Sequence, residues 1–387
     1  MARRGTQRGS PDRGGPGRGD RGSRDTQARD ADPRGNELRS AGPAALDAIG
    51  TDATLAPADI ALLFALRDGY VARSEGGLSG PLERTWSSAR ELALYDATFG
   101  ARIGWKWRAV LAELSLRAIT PPRGTILDWG SGTGVASRAW IDALGAQGQR
   151  VLLHDHSAAS RAFAAHALRA RHPALEVVEL EAPPAEPVDV LLASHVISEL
   201  EDRDFDRLVD LGTRARFVVW VEPGAKPLAR RLVEARERLR TALAVLAPCT
   251  HHAACPLAAP ERARDWCHHL AAPPPEAFTT RLWNQVAREL GIDLRSLPYS
   301  FLVLGRGPER DHGPDAARIL GRPRVEKGRA LLDVCSAEGV RVLRFLERLD
   351  KGAFRAFERA PQSPRLHRLR AEALRVTACE PLPVPAP

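Results

Sequence analysis

Ile126-Leu127-Asp128-Trp129-Gly130-Ser131-Gly132-Thr133-Gly134 is the stretch on which the reading of this chain turns. The apolar run from Thr125 to Leu127 reads as the end of a buried strand. Glycine then occupies every second position, and Val135 to Leu144 follows as a helix-compatible run. Strand, glycine-rich turn and helix together bring backbone N–H groups and a helix N-terminus against a ligand. Glycine serves there because a Cβ would block close approach of the backbone or oppose a positive φ.

The spacing D-x-G-x-G-x-G differs from the G-x-G-x-x-G of dinucleotide enzymes. It is similar to the pattern of S-adenosyl-L-methionine (SAM) methyltransferases, and by that similarity Asp128, Gly130, Ser131, Gly132 and Gly134 would hold SAM. An acidic residue closing the second strand of a Rossmann-like sheet binds ribose hydroxyls. Here Val151 to His154 is that strand and Asp155 is the acid. An ordinary glycine-rich turn and a surface aspartate are the alternative readings.

Working outward, residues 124–305 alternate between strand and helix patterns, which predicts a mostly parallel, doubly wound sheet. Further strands are expected at 175–180, 188–195, 217–224 and 299–304, with helices at 158–171 and 227–245. Ligands bind at the carboxyl ends of such strands, so Ser194, His195 and Glu199 border the expected site. His195 reads as a general base or as a structural histidine. No Asp/Asn-Pro-Pro-Tyr stretch and no cysteine nucleophile stands there. Upstream, Pro57 to about Ala118 shows helical periodicity with a Gly/Ser-rich break at 74–80. Trp105 and Trp107 read as core residues, with base stacking as the alternative.

Five cysteines are present, and three fall close together, at Cys249, Cys255 and Cys267, among His251, His252, His268 and His269. Thiolates favour zinc or iron–sulfur clusters. No C-x2-C pair exists, and the histidines could complete a zinc site, so spacing leaves the metal open. Cys335 follows a basic turn at 322–329, and Cys379 reads as a lone tail thiol.

Residues 1–44 hold ten Arg against six acids, half of the chain's net +8, without periodic apolar residues. Such a segment is expected to be disordered. A basic balance favours a polyanionic partner such as RNA, or reflects a solvated arginine-rich surface. No apolar run approaches the roughly 18 residues of a membrane span. No apolar signal segment opens the chain, and the acids at 1–44 argue against a transit peptide. The expectation is a cytoplasmic protein, off the membrane and monomeric.

The chain resembles the Rsm22 family, methyltransferase-like proteins of the small ribosomal subunit in bacteria and mitochondria. The matching stretches are Leu127–Gly134, Val219–Gly224, Ala247–Leu257, Trp266-Cys267-His268, Tyr299–Leu304 and Leu332–Cys335 before Gly339. The resemblance implies a [4Fe–4S] cluster on Cys249, Cys255, Cys267 and Cys335, and a role with small-subunit rRNA in ribosome assembly. Two departures stand out: Ala225-Lys226 where the family commonly has Thr-Pro, and a poor match beyond Phe345.

The expected organisation is α/β: a Rossmann-like SAM methyltransferase fold at 121–306 behind a helical N-terminal domain at 45–120. A cysteine-rich metal-binding insertion lies at 247–270, a small basic C-terminal appendage with the fourth cysteine at 307–350, and tails at 1–44 and 351–387. The expected function is a SAM-dependent methyltransferase of small-subunit rRNA. The alternatives are a non-catalytic rRNA-binding assembly factor and a zinc-bound methyltransferase of a small molecule.

Overall fold

The computed structural model describes residues 49–76, 86, 88–308, 312–359 and 366–382, so the arginine-rich segment at 1–44 and part of the break at 74–80 lie outside the described residues. Five strands run parallel: β1 (Thr125–Trp129), β2 (Arg150–His154), β3 (Glu176–Leu180), β4 (Val190–Ser194) and β5 (Phe217–Pro223). β6 (Ala244–Ala247), the short β7 (His269–Leu270) and β8 (Pro298–Gly305) complete the sheet. Its order is β3-β2-β1-β4-β5-β8-β6, with β8 antiparallel to both neighbours and β7 paired to the end of β8. This is a Rossmann-like sheet with an antiparallel edge.

Successive residues of a strand point to opposite faces, and both faces here are buried. Ile126, Val151, Val190 and Val219 pack on one side with the N-terminal helices, while Leu127, Leu152, Leu191 and Val218 pack on the other. The first layer contains α1 (Pro57–Gly76), α2 (Ala89–Tyr95), a π-helical turn (Asp96–Gly100) and α3 (Ala101–Leu116). It also contains α4 (Val135–Leu144), α5 (Ala158–Arg171), and the pair α8 (Glu276–Thr279) and α9 (Arg281–Leu290). The second layer is α6 (Asp202–Arg214) and α7 (Lys226–Leu239). Trp105 and Trp107 are core residues of α3, as expected. Among the described residues no helix is long and apolar enough to cross a membrane.

Two expectations need correction. The helix expected over 227–245 stops at Leu239, and Ala244–Ala247 forms β6 instead. A short apolar run has no period that separates helix from strand, and here the free side of β8 captures it. The tail expected over 351–387, past an appendage ending at 350, is folded over its described residues, 351–359 and 366–382. β9 (Ala316–Glu326), β10 (Arg329–Ser336), β11 (Gly339–Leu346), β12 (Leu366–Glu372) and β13 (Arg375–Pro381) close into a barrel of order β10-β11-β13-β12-β9. A helix, α10 (Lys351–Arg359), contributes Phe354 and Phe357 to its core against Phe345. Cys379 is therefore a strand residue, partly buried against that core.

Candidate functional site

The strand order reverses at β1, between β2 and β4, which is where open α/β sheets bind ligands. A cleft of about 850 Å3 opens there, lined by Trp129 to Thr133, by His154 and Asp155, and by Ser194 to Val196. Ile103 of α3 and Tyr95 close it from the N-terminal side.

The glycine turn is built as its spacing requires. Gly130, Gly132 and Gly134 have φ of 65°, 51° and 78°. A Cβ on Gly130 would lie 2.5 Å from Val196 Cγ1, and one on Gly134 would lie 2.8 Å from Ala164 Cβ, whereas at Gly132 it would meet nothing within 4 Å. Two glycines thus permit close packing, and the middle one leaves space over the cleft. The Gly132 N–H donates to Asp155 Oδ2 at 2.9 Å, and the Ser157 N–H donates to Asp155 Oδ1 at 2.8 Å. Asp155 ties the turn to the end of β2 and borders the cleft.

Gly130, Ser131, Gly132 and Asp155 face the cleft; Gly134 and Asp128 do not line it. Asp128 is wholly buried. Its Oδ2 accepts from the Ser137 hydroxyl and, at 3.2 Å, from the Ser137 N–H. Burial pushes its carboxyl up to about 7. It braces the turn against α4 from beneath the cleft.

At the end of β4 the chain does what the sequence left open. His195 adopts φ 58°, uncommon for a non-glycine residue and characteristic of functional turns. Its Nε2 lies 2.9 Å from Lys106 Nζ, and the Trp107 indole N–H donates to Ser194 Oγ at 2.8 Å. Burial, with Arg102 nearby, pushes the Lys106 ammonium down to about 7. Burial and the Lys106 charge hold the His195 imidazole well below its usual value, hence neutral. Glu222, buried at the end of β5, accepts from the Val196 and Ile197 N–H groups and from the Trp220 indole, and so fixes this turn. Sequence reasoning missed Lys106, which reads as an ordinary helix position, and gave Glu222 no role. The only signals were a lysine amid the apolar run of α3 and a lone acid at a strand end.

The structure also brings distant cysteines together. Cys255, Cys267 and Cys335 pack in one cluster with Leu257, Leu320 and Val340. Burial, with Cys249, Cys335 and Cys255 nearby, pushes the Cys267 thiol well up. Arginines surround them: Arg236 interacts with Cys249 and Cys255, and Arg318 with Cys267 and Cys335. Among the described residues, no group of three or more His, Cys, Asp or Glu could hold a metal ion, so the metal-binding insertion expected at 247–270 finds no support there, as a zinc site or otherwise.

Comparison with known proteins places residues 99–362 in a match to the family model described as mitochondrial small ribosomal subunit Rsm22. No curated protein matches the chain. Among solved structures, an uncharacterized protein from Burkholderia thailandensis is similar at 13% identity over 67% of this chain and 96% of its own, with a TM-score of 0.36. The magnesium protoporphyrin IX methyltransferase of Synechocystis PCC 6803, solved with bound SAM, is similar at 11% identity over 66% of this chain and 100% of its own, with a TM-score of 0.34.

Proposed function

The chain belongs to the Rsm22 family, whose model is described as mitochondrial small ribosomal subunit Rsm22, and from that premise we propose that it is a SAM-dependent methyltransferase of small-subunit rRNA. In this reading it acts in ribosome assembly and carries a [4Fe–4S] cluster. The observation that carries the enzyme reading is the open, positive-φ Gly132 beside Asp155 in the cleft. A Cβ there would occupy the space a cofactor needs, and the Asp155 carboxylate stands where ribose hydroxyls bind.

Bound SAM supplies an electrophilic methyl group. The Gly130–Gly132 backbone and Asp155 would bind and orient it. His195 faces the acceptor side of the cleft as a neutral imidazole with Lys106 behind it. The Lys106–His195 pair accepts the proton that an acceptor nitrogen or hydroxyl gives up as it gains the methyl group. Trp107, through Ser194, and Glu222, through Val196 and Ile197, hold that pair in register.

The cluster part of this reading rests on the family resemblance and on the approach of the thiols. Cys255, Cys267 and Cys335 share one packed region, and Cys249 lies against the neighbouring core. Four thiolates would hold the corners of a multi-iron cluster, and the flanking arginines would complement their charge. The cluster would be structural, tying the barrel strand that bears Cys335 to the sheet.

Isothermal titration of SAM against the wild type and Gly132→Val tests the enzyme reading: binding by the wild type and its loss in the variant are expected. Absence of binding to cluster-loaded wild type would overturn it. Iron and sulfide assays on anaerobically purified protein should give about four of each per chain, lost in Cys255→Ala. One zinc without sulfide would sink the cluster. The missing Asp/Asn-Pro-Pro-Tyr stretch after β4 favours a second reading, a non-catalytic rRNA clamp. On that reading Gly132→Val still supports ribosome assembly in cells.

A further inference from the structure

The barrel carries an argument of its own. In a five-stranded barrel numbered from its first strand, the order found here is 1-2-3-5-4-1, with strands three and five parallel and a helix between strands three and four. This is the oligonucleotide/oligosaccharide-binding (OB) architecture, whose ligands lie across strands two and three between the loops that join strands one to two and four to five. The middle of the first strand must curl sharply in so small a barrel. β9 does so at Gly321, φ 57°, where its register against β10 shifts between Leu331 and Asp333.

Three observations single out the part of the outer face of β9, β10 and β11 nearest the β9–β10 loop; farther along, Arg318, Leu320, Cys335 and Val340 of the same face are packed against the cysteine loop. Charge comes first. Residues 316–381 hold 15 Lys and Arg against 8 Asp and Glu, a net +7, and the tail at 1–44 holds +4 of the chain's +8, so the remainder nets −3. The positive field of the folded part therefore belongs to the barrel. Second, cross-strand pairing sets Arg324, Leu331 and Arg344 in one row, with the exposed Val342 in the next row opposite Asp333. Arg324 and Arg344 are exposed. Acids on this face are engaged: Asp333 by Arg324 at 3.4 Å, and Glu326 by Arg329 at 2.6 Å. Third, both loops converge on β11. The Arg344 N–H donates to Leu374 O at 2.8 Å, and the Glu347 N–H donates to Gly328 O at 3.0 Å. Leu374, 57% exposed, is an apolar tip on the β12–β13 loop, and Lys327 stands on the β9–β10 loop.

An aromatic platform adjoins this face. The half-buried Trp266 and His268 rings stack at 5.1 Å and 24°. The His268 carbonyl accepts from the Gly321 N–H of β9 at 3.2 Å. On its other side the Trp266 indole N–H donates to Gly224 O at 2.9 Å, at the carboxyl end of β5. The platform therefore bridges from the barrel to the sheet edge where the cleft opens. Basic grooves interleaved with stacking rings are how proteins hold single strands.

We propose that the exposed part of the outer face of β9, β10 and β11, around Arg324, Leu331, Val342 and Arg344 and bounded by the Lys327-Gly328 and Ala373-Leu374 loops, binds single-stranded RNA and that the Trp266–His268 stack leads that strand toward the cleft. The proposal rests on the rRNA reading and gives it a surface. A single strand fits better than a duplex, because Leu331 and Val342 among the cations offer unstacked bases an apolar surface, whereas the bases of a duplex are already paired and stacked.

The test is fluorescence anisotropy on the full-length, cluster-loaded protein with a labelled single-stranded RNA of about 12 nucleotides, and with a duplex of the same length. The double variant Arg324→Ala, Arg344→Ala removes two exposed side chains, and circular dichroism checks that it folds. SAM titration reports separately on the cleft. The expected result is at least a ten-fold loss of single-strand affinity with SAM binding intact. The slope of log K against log salt should fall by about 1.4, two contacts' worth for single strands. If the wild type binds single strands and the double variant binds them equally, the face is wrong while the rRNA reading stands. Tighter binding of the duplex overturns the single-strand assignment. If the wild type binds neither RNA, the rRNA reading falls with it.

Discussion

Glu113 offers the most quantitative test of how the two halves are joined. It sits on α3 with its side chain 5% exposed, and its Oε1 accepts from Arg117 Nε at 2.9 Å and from the Arg318 guanidinium of β9. Arg117 reaches on to the carbonyls of Leu246, Pro248 and Cys249, and Arg318 to His269 Nδ1. One carboxylate thus compensates two buried guanidiniums and links the N-terminal helices, the cysteine loop and the barrel. Burial already pushes Arg117 down to about 10, against the pull of Glu113. Glu113→Gln keeps the shape and removes the charge. Breaking a buried pair costs roughly 3–5 kcal/mol, because the remaining charge is stranded. At about 2 °C per kcal/mol for a chain of this size, Tm should fall by roughly 6–10 °C. Urea unfolding and thermal melts followed by far-UV circular dichroism measure it. Adding Arg318→Met should recover part of the loss, since one stranded cation disappears. A loss below about 1 kcal/mol, the range of an exposed pair, would refute the reasoning.

Other expectations follow from the same buried groups. Lys106 has a native pKa near 7 against 10.5 unfolded, so between those values the unfolded chain binds the extra proton and stability rises with pH. Lys106→Met should remove a rise on the order of 4 kcal/mol between pH 7 and 10, read from unfolding midpoints; an unchanged slope would contradict it. Asp128 runs the other way: its native pKa near 7 exceeds 3.8, so its contribution is full in acid and is lost as pH rises to 7. Asp128→Asn should flatten that fall, though Glu222, also pushed up to about 7, keeps some of it. Phe357→Ala should cost about 3–5 kcal/mol, since the ring packs in the barrel core 5.2 Å from Phe345; a neutral effect would return residues 351–387 to the status of a tail.

What could be seen in the sequence was local. The glycine turn announces itself because strand, turn and helix are contiguous and each glycine answers a constraint within a few residues or one neighbouring helix. Asp155 follows from its strand. Lys106 and Glu222 stayed hidden because their burial comes from α3 lying across the ends of β4 and β5, and no spacing encodes that. The barrel's last strands stayed hidden for another reason. Leu366–Glu372 and Arg375–Pro381 bury little more than Leu366, Leu369 and Val376, and their outward positions are arginines and acids. A strand with one apolar face in a narrow barrel needs few hydrophobic residues, and between prolines and charges these read as a tail. The convergence of Cys335 with the other thiols came through family resemblance alone, since it depends on how the barrel docks.

The cysteine loop shows why that docking need not wait for a metal. Between β6 and β7 the chain has only two single 3-10 turns, at Pro256–Ala258 and Pro260–Arg262, so most of its carbonyls need partners from elsewhere. Three arginines supply them. Arg117 serves Leu246, Pro248 and Cys249; Arg236 serves His251 and Ala253; Arg230 serves Leu257, Arg262 and Asp265. All three side chains are anchored at or beside helices that belong to the sheet layers. The thiols are therefore placed by guanidinium–carbonyl bonds independent of any cluster, unlike a zinc finger, whose fold is its metal affinity. On the proposed cluster reading, cluster-free protein should keep its far-UV circular dichroism and melt cooperatively at a lower Tm, whereas Arg236→Met should weaken cluster retention with all four cysteines present. Loss of secondary structure on iron removal alone would show that the metal, and not the arginines, builds the loop.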